Sequence, residues 1–266
     1  MKLPHVIAIP AFSDNYIWLV AASRENHPDT SALDKAVIIV DPGIAEPVLK
    51  TLKQNSLQPC AILITHHHYD HIDGIKALCQ HYPLPVYGPA NSTIPGINHP
   101  VHDNDQITLK NGMQFDVLAT PGHTLDHLCY YYPGMLFSGD TLFAAGCGRL
   151  LEGTSGQMFQ SLKRLASLPD DTRIFCTHEY TLTNLEFAHH VEPENNAITE
   201  RLQQVRQLRA SKQITLPSTL AIERSCNPFL RCSESTVMAA ASKFARREVS
   251  DAADTFKIIR FWKDSW

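Results

Sequence analysis

ILITHHHYDHIDG (62–74) is the stretch on which the reading of this chain turns. An apolar run, AILIT (61–65), has the length of a short buried strand. It empties into His66, His67, His68, Asp70 and His71. Side chains at i and i+2 of an extended chain project to the same side, so His66 and His68 can reach one metal ion while His67 points elsewhere. Asp70 and His71 follow across a turn, where the chain can aim them at a second point. Imidazole and carboxylate suit zinc, manganese or iron better than a thiolate site would. The strand end holds the ligands while the loop leaves the metal open to substrate. Three adjacent histidines alone would read equally well as a solvated tract. HxHxDH at the end of an apolar strand argues against that.

Three further residues lie in matching contexts. His123 sits in TPGHT (120–124) after QFDVLA, Asp140 in FSGDTLF (137–143) after an aromatic-rich strand, and His178 in FCTHEY (175–180) after RIFC. A polar residue just past a strand end is where layered sheets gather their sites. With His66, His68, Asp70 and His71 these residues make seven ligands, the number expected for two metals sharing a bridging carboxylate.

Around them, NYIWLVAA (15–22), AVIIVDPG (36–43), HLCYYYP (127–133), MLFSGDTLF (135–143) and RIFCTHEY (173–180) read as strands. AEPVLKTLKQ (45–54), IDGIKALCQHY (72–82) and TSGQMFQSLKRLASL (154–168) have helical spacing, the last behind a Thr/Ser cap. Beyond residue 178 the texture turns helical, in TNLEFAHHV, NAITERLQQVRQLRAS and STVMAAASKFARRE. Residues 1–178 hold 11 basic and 16 acidic residues, and 179–266 hold 12 and 11. These features predict two domains, 1–178 and 179–266.

The 266 residues are 44% hydrophobic and 19% charged, ordinary for a globular chain large enough to bury a core without staples. No apolar run is long enough to span a bilayer. A net charge of −4 gives no polyanion-binding signal, so neither nucleic acid nor membrane is expected as a partner. The seven cysteines form no CxxC pair, and MKLPHVIAIPAFSDN lacks the apolar core and cleavage site of a signal peptide. Reduced thiols in a cytoplasmic protein, a monomer, are the expectation.

The HxHxDH motif with the later His, Asp and His resembles the metallo-β-lactamase superfamily. The likeness narrows: IPAFSDNYIWLV (9–20), VDPG (40–43), THHHYDH (65–71), TPGHT, SGDTLFAAGCGR (138–149), THEY (177–180) and NPFLR (227–231) look like glyoxalase II, the hydroxyacylglutathione hydrolases. NPFLR weighs most because it falls in the helical back part, which most superfamily relatives lack or replace.

That resemblance implies an α/β fold, a four-layer αβ/βα sandwich with a C-terminal helical domain that helps bind glutathione. It implies two divalent metal ions, zinc first, with iron or manganese admitted by the same ligands. His66, His68 and His123 would hold one metal and Asp70, His71 and His178 the other. Asp140 and a hydroxide would bridge them, with no separate protein nucleophile. The activity implied is hydrolysis of S-(2-hydroxyacyl)glutathione, typically S-D-lactoylglutathione, to D-lactate and glutathione in methylglyoxal detoxification. Arg149, Tyr180 and Arg231 align with contacts to the glutathione part. Leu151 stands where some members carry Tyr, and Cys232, Ser233, Glu234 and Ser235 stand where some carry a Lys. Two rivals are a mononuclear-iron persulfide dioxygenase of the same superfamily and a non-catalytic metal-binding protein. NPFLR speaks against the first and the complete ligand set against the second.

Overall fold

The computed structural model describes residues 3–21 and 35–266. Ala22, the last residue of the strand expected over 15–22, lies outside them. Two compact units are resolved. The first holds the described residues up to Ala119 together with Asp126–Gly139, and the second holds Thr120–Leu125 and Asp140–Trp266.

In the first unit, β1 (His5–Ala11), β2 (Asn15–Ala21) and β3 (Ala36–Val40) pair antiparallel in order. β3 then pairs parallel with β4 (Gln58–Leu63), β4 with β5 (Val86–Pro89) and β5 with β6 (His99–Val101). Parallel neighbours need crossovers. Helix α1 (Glu46–Gln54) lies between β3 and β4, and α2 (Tyr69–Ile72) with α3 (Ile75–His81) between β4 and β5. β3 is buried along its whole length, as its unbroken AVIIV run requires. Ile17, Leu19, Val37, Ile39 and Ile62 of the sheet form one core with Val48 and Leu52 of α1 and Ile75 and Leu78 of α3. β7 (Gln106–Thr108), β8 (Gln114–Ala119), β9 (Leu128–Tyr132) and β10 (Met135–Gly139) form an antiparallel meander. Tyr130 of β9 is fully buried and donates its hydroxyl to the Ile64 carbonyl at 2.7 Å, tying the meander to the residues that follow β4.

In the second unit, a short hairpin, β11 (Leu142–Phe143) and β12 (Gly146–Cys147), precedes α4 (Ser155–Ala166). Thr154 caps α4 reciprocally with Gln157. β13 (Arg173–Cys176) pairs antiparallel with β14 (Ser218–Thr219). The helices α5 (Thr181–Val191), α6 (Asn196–Ala210), α7 (Leu220–Cys226), α8 (Ser235–Ala245) and α9 (Ala252–Asp264) complete it. Leu185 and Ala188 of α5 share a core with Ile198, Leu202 and Val205 of α6 and Cys226 of α7.

Candidate metal centre and substrate pocket

Within the first unit, β4 ends at Leu63, and Ile64, Thr65 and His66 continue fully buried. His66 Nε2 and His68 Nδ1 lie 3.0 Å apart, so the i, i+2 pair does converge. His67 turns away, its Nδ1 3.0 Å from Asp126 Oδ1, and Tyr69 is exposed. Asp70 and His71 lie on the single turn of α2 rather than in an open turn. Asp70 Oδ2 accepts from Asn15 Nδ2 at 2.9 Å and stands 3.7 Å from His71 Nε2.

Within the second unit, the loop bearing His123 is gripped from several sides. The amides of Leu151 and Glu152 donate to the His123 carbonyl, and Gly153 N–H donates to the Gly122 carbonyl. Gly122 has φ +153°, and a Cβ there would strike Met158. His123 Nδ1 faces the Arg149 carbonyl at 2.9 Å; a carbonyl only accepts, so this nitrogen carries a proton, and in the neutral ring the lone pair is on Nε2. That Nε2 stands 3.5 Å from Asp140 Oδ2, and His178 Nε2 stands 3.3 Å from the same oxygen. The His178 ring is stacked on Tyr180, centroids 4.7 Å apart with planes 2° from parallel.

The donor chemistry fits a cation. An imidazole lone pair aimed at a carboxylate oxygen repels it unless positive charge lies between them, and His123 with Asp140 is that arrangement. A metal-binding His ordinarily gives its other ring nitrogen to a carbonyl or carboxylate, as His123 does to Arg149.

A cavity of about 560 Å³ opens within the second unit, lined by His123 and Asp140 and by Phe143, Arg149, Leu151, Tyr180 and Lys263, among others. Two of the three residues that the resemblance offers for glutathione, Arg149 and Tyr180, are therefore on its wall. Arg231 is not. Its guanidinium forks onto Glu192 at 2.8 and 3.0 Å and lines a separate cavity with it. Burial acts to raise the Glu192 carboxyl, but the hydrogen bonds from Arg231 and Thr236 prevail and hold it below its usual range. The expectation for Arg231 rested on its position after NPF, and in the described residues its guanidinium is engaged by Glu192.

Sequence reading did not single out Lys263, which α9 brings to the wall. Burial, then the neighbouring charges of Arg260 and Arg149, lower its ammonium from 10.5 to about 8. Such a wall favours anions. Arg260 is buried and donates to the Cys147 carbonyl at 2.9 Å. Cys147 also lines the cavity, but burial pushes its thiol up to about 11, so it carries no thiolate near neutral pH.

Residues 32–178 match the family model described as "Metallo-beta-lactamase superfamily" and residues 179–266 that described as "Hydroxyacylglutathione hydrolase C-terminus". The hydroxyacylglutathione hydrolase of Pseudomonas fluorescens (strain SBW25) is 51% identical over 262 residues, 98% of this chain and 99% of that protein. Among solved structures, ETHE1 from Myxococcus xanthus superposes with a TM-score of 0.64 at 22% identity, covering 97% of this chain and 90% of that one. The BLEG-1 B3 metallo-β-lactamase gives 0.61 at 24% identity, covering 85% and 99%. At such identities the likeness shows the fold, the αβ/βα sandwich expected from the motifs. That fold and the His/Asp clusters together point to a dinuclear metal site. With half its residues shared along nearly its whole length, this chain belongs to the hydroxyacylglutathione hydrolase family of the metallo-β-lactamase superfamily.

Proposed function

We propose that the chain is a dinuclear-metal thioesterase that hydrolyses S-(2-hydroxyacyl)glutathione, with S-D-lactoylglutathione as the principal substrate and D-lactate and glutathione as products, in methylglyoxal detoxification. One observation beyond family membership carries the reading: His123 and Asp140 share a cavity wall with Arg149, Tyr180 and Lys263. Glutathione is a peptide with two carboxylates. A site for its thioester needs a reactive centre and cations within reach of each other.

In this reading His66, His68 and His123 hold one metal, Asp70, His71 and His178 the other, and Asp140 serves both. Zinc is proposed first, with iron and manganese suited to the same ligands. When bound, two such ions supply Lewis acidity that makes water a nucleophile near neutral pH and polarises the thioester carbonyl. The protein's own residues do the rest. Arg149 and Lys263 hold carboxylates by charge-assisted hydrogen bonds. Tyr180, half-exposed and stacked on His178, offers a hydroxyl to the peptide part. No protein acid is needed for the leaving group, because a cysteine-type thiol has a pKa of about 8.5 and departs as thiolate. Cys147, with its raised pKa, is no covalent nucleophile.

Among the described residues no helix is long and apolar enough to cross a membrane. A monomer acting in the cytoplasm on this small molecule is the proposed setting, with 179–266 as the helical domain that supplies much of the glutathione wall. The persulfide dioxygenase reading is not favoured, since residues 179–266 match the hydrolase C-terminal model. The test compares hydrolysis of S-D-lactoylglutathione with that of a small thioester lacking the peptide. Strong preference for the former supports the reading, and equal rates on both remove glutathione from it.

A further inference from the structure

Lys263 is a cation of the cavity wall, and what holds it there differs from what holds its neighbours. Arg260 Nη2 donates to Asp264 Oδ1 at 2.8 Å, and Arg149 Nε stands 4.0 Å from the same oxygen. Arg231, on its separate cavity, is forked onto Glu192. Each of these guanidinium groups has a carboxylate of the chain beside it. Among the described residues Lys263 has none within ion-pair distance. Its Nζ lies 4.6 Å from the centroid of the Trp266 ring and 5.0 Å from that of Phe187, and it donates to the Thr183 carbonyl at a long 3.4 Å.

The two rings are not equivalent. Phe187 of α5 is fully buried, stacked on Phe229 with centroids 6.3 Å apart and met edge-on by Trp262 of α9 at 5.7 Å. It is a fixed part of the core. Trp266, just past the end of α9, is 50% exposed and stands 5.6 Å from Phe187, its plane 64° from that ring. A half-exposed tryptophan adds little to a core, yet this one gives a second ring to a lysine that already has one.

That arrangement has a physical consequence. An ammonium on a four-carbon stem is mobile, and fixing it costs entropy that a ligand must otherwise meet when it binds. A carboxylate partner would fix it, but would also compete with any anion that arrives. The faces of aromatic rings attract the charge, most strongly where water is partly excluded, and accept none of its three N–H donors as an oxygen would. The Thr183 carbonyl accepts one donor, so two remain for a ligand.

We propose that Trp266 is a positioning residue: with Phe187 it holds the Lys263 ammonium at the cavity wall without a counter-ion, ready for a carboxylate of the substrate's peptide part. The inference rests on the glutathione reading above and adds to it a residue that sets specificity through another side chain.

The test uses the full-length holoenzyme. Trp266→Leu keeps apolar bulk and removes the ring face. It should raise KM for S-D-lactoylglutathione by about 2- to 30-fold, the span of cation–π contacts. Its kcat, its Tm and its rate on a small thioester lacking the peptide should stay close to wild type. Trp266→Phe restores a ring and should recover most of the loss. In a Lys263→Met background, Trp266→Leu should change KM no further, because the tryptophan acts through the lysine. In carbon–proton NMR spectra the ε-methylene protons of Lys263, assigned by their disappearance in Lys263→Met, should lie upfield of those of the other lysines. They should move back toward them in Trp266→Leu. Wild-type KM in Trp266→Leu overturns the proposal. So does a loss of equal size in Trp266→Leu and Trp266→Phe, or one that persists undiminished beside Lys263→Met. Wild-type ε-protons at the position of an exposed lysine overturn it as well. Equal wild-type rates on both thioesters would instead remove glutathione from the proposed function, and the spectra would then decide alone whether the rings hold Lys263.

Discussion

Asp140 is the residue on which the proposed chemistry converges, with two imidazole nitrogens 3.5 and 3.3 Å from one carboxylate oxygen. Asp140→Ala should lose metal and most of kcat together, read by metal analysis and turnover on one sample. Two normal metals with normal turnover would make Asp140 an ordinary loop residue. Arg231 and Lys263 should separate cleanly. Arg231→Ala strands the buried Glu192 carboxylate, a loss of about 3–5 kcal/mol for a broken buried pair, so its main effect should be a lower Tm. Lys263→Met should hold or raise Tm at neutral pH and raise KM for the glutathione thioester by about 10- to 150-fold, the range for a charge-assisted hydrogen bond of about 1.5–3 kcal/mol. Lys263 also has a pH signature. Its folded pKa is lowered to about 8, so its charge is lost as pH rises through that value, and KM should climb above it. Lys263→Arg, charged throughout, should flatten that climb. The same lowering means that the burden of a charged Lys263 on stability is present below about pH 8 and relieved between there and 10.5. At this scale the donors in HxHxDH were legible because the motif is contiguous. The hydrogen bonds that Thr65, just before the motif, donates to Asp41 were not, because only the parallel register of β3 on β4 brings the two together. The fork between Arg231 and Glu192, 39 residues apart, leaves no trace in any local pattern.

The element that shapes the cavity is the hairpin β11–β12, and helix α7 and the NPF segment hold it. Asn227 donates to the carbonyls of Phe143 and Gly146 at 3.2 and 3.0 Å and to Glu223 Oε2 at 3.0 Å. Glu223 in turn accepts from the amide of Ala145, a residue with φ +55°. Phe143 packs edge-on against both His178 and Tyr180, so hairpin position becomes ligand position. Asn227→Ala leaves buried carbonyls unsatisfied, at about 1–3 kcal/mol each. It should lower Tm by several degrees and raise KM, measured by thermal melts and by kinetics on the glutathione substrate. Unchanged KM with a lowered Tm would confine Asn227 to stability. NPFLR thus also matters through its first residue. β3 was legible as an unbroken apolar run. β1 was not read as a strand, since HVIAIPA carries Pro10 and lies at the edge of its sheet, where proline is tolerated. α9 escaped because its buried face mixes Thr255, Phe256 and Ile259 with Arg260, and Lys263 went with it.

For the molecule as a whole, family membership and fold were legible from motifs spread from residue 9 to residue 231, and the matches at 32–178 and 179–266 carry the same identity. The division into compact units follows other lines, with Thr120–Leu125 and Asp140 onward in the second unit. Because metal binds the folded chain through deprotonated ligands, chelation should lower Tm as well as abolish hydrolysis, and both should be restored by zinc. Activity should fall as pH drops through the histidine range, about 6.5 for an unperturbed imidazole. The most direct measurement is hydrolysis of S-D-lactoylglutathione by metal-free protein titrated with zinc, with bound metal counted at every point. The account predicts no turnover without metal and a rate that rises to a plateau as occupancy approaches two ions per chain. Full activity in the metal-free protein, or no hydrolysis with two ions bound, would contradict it.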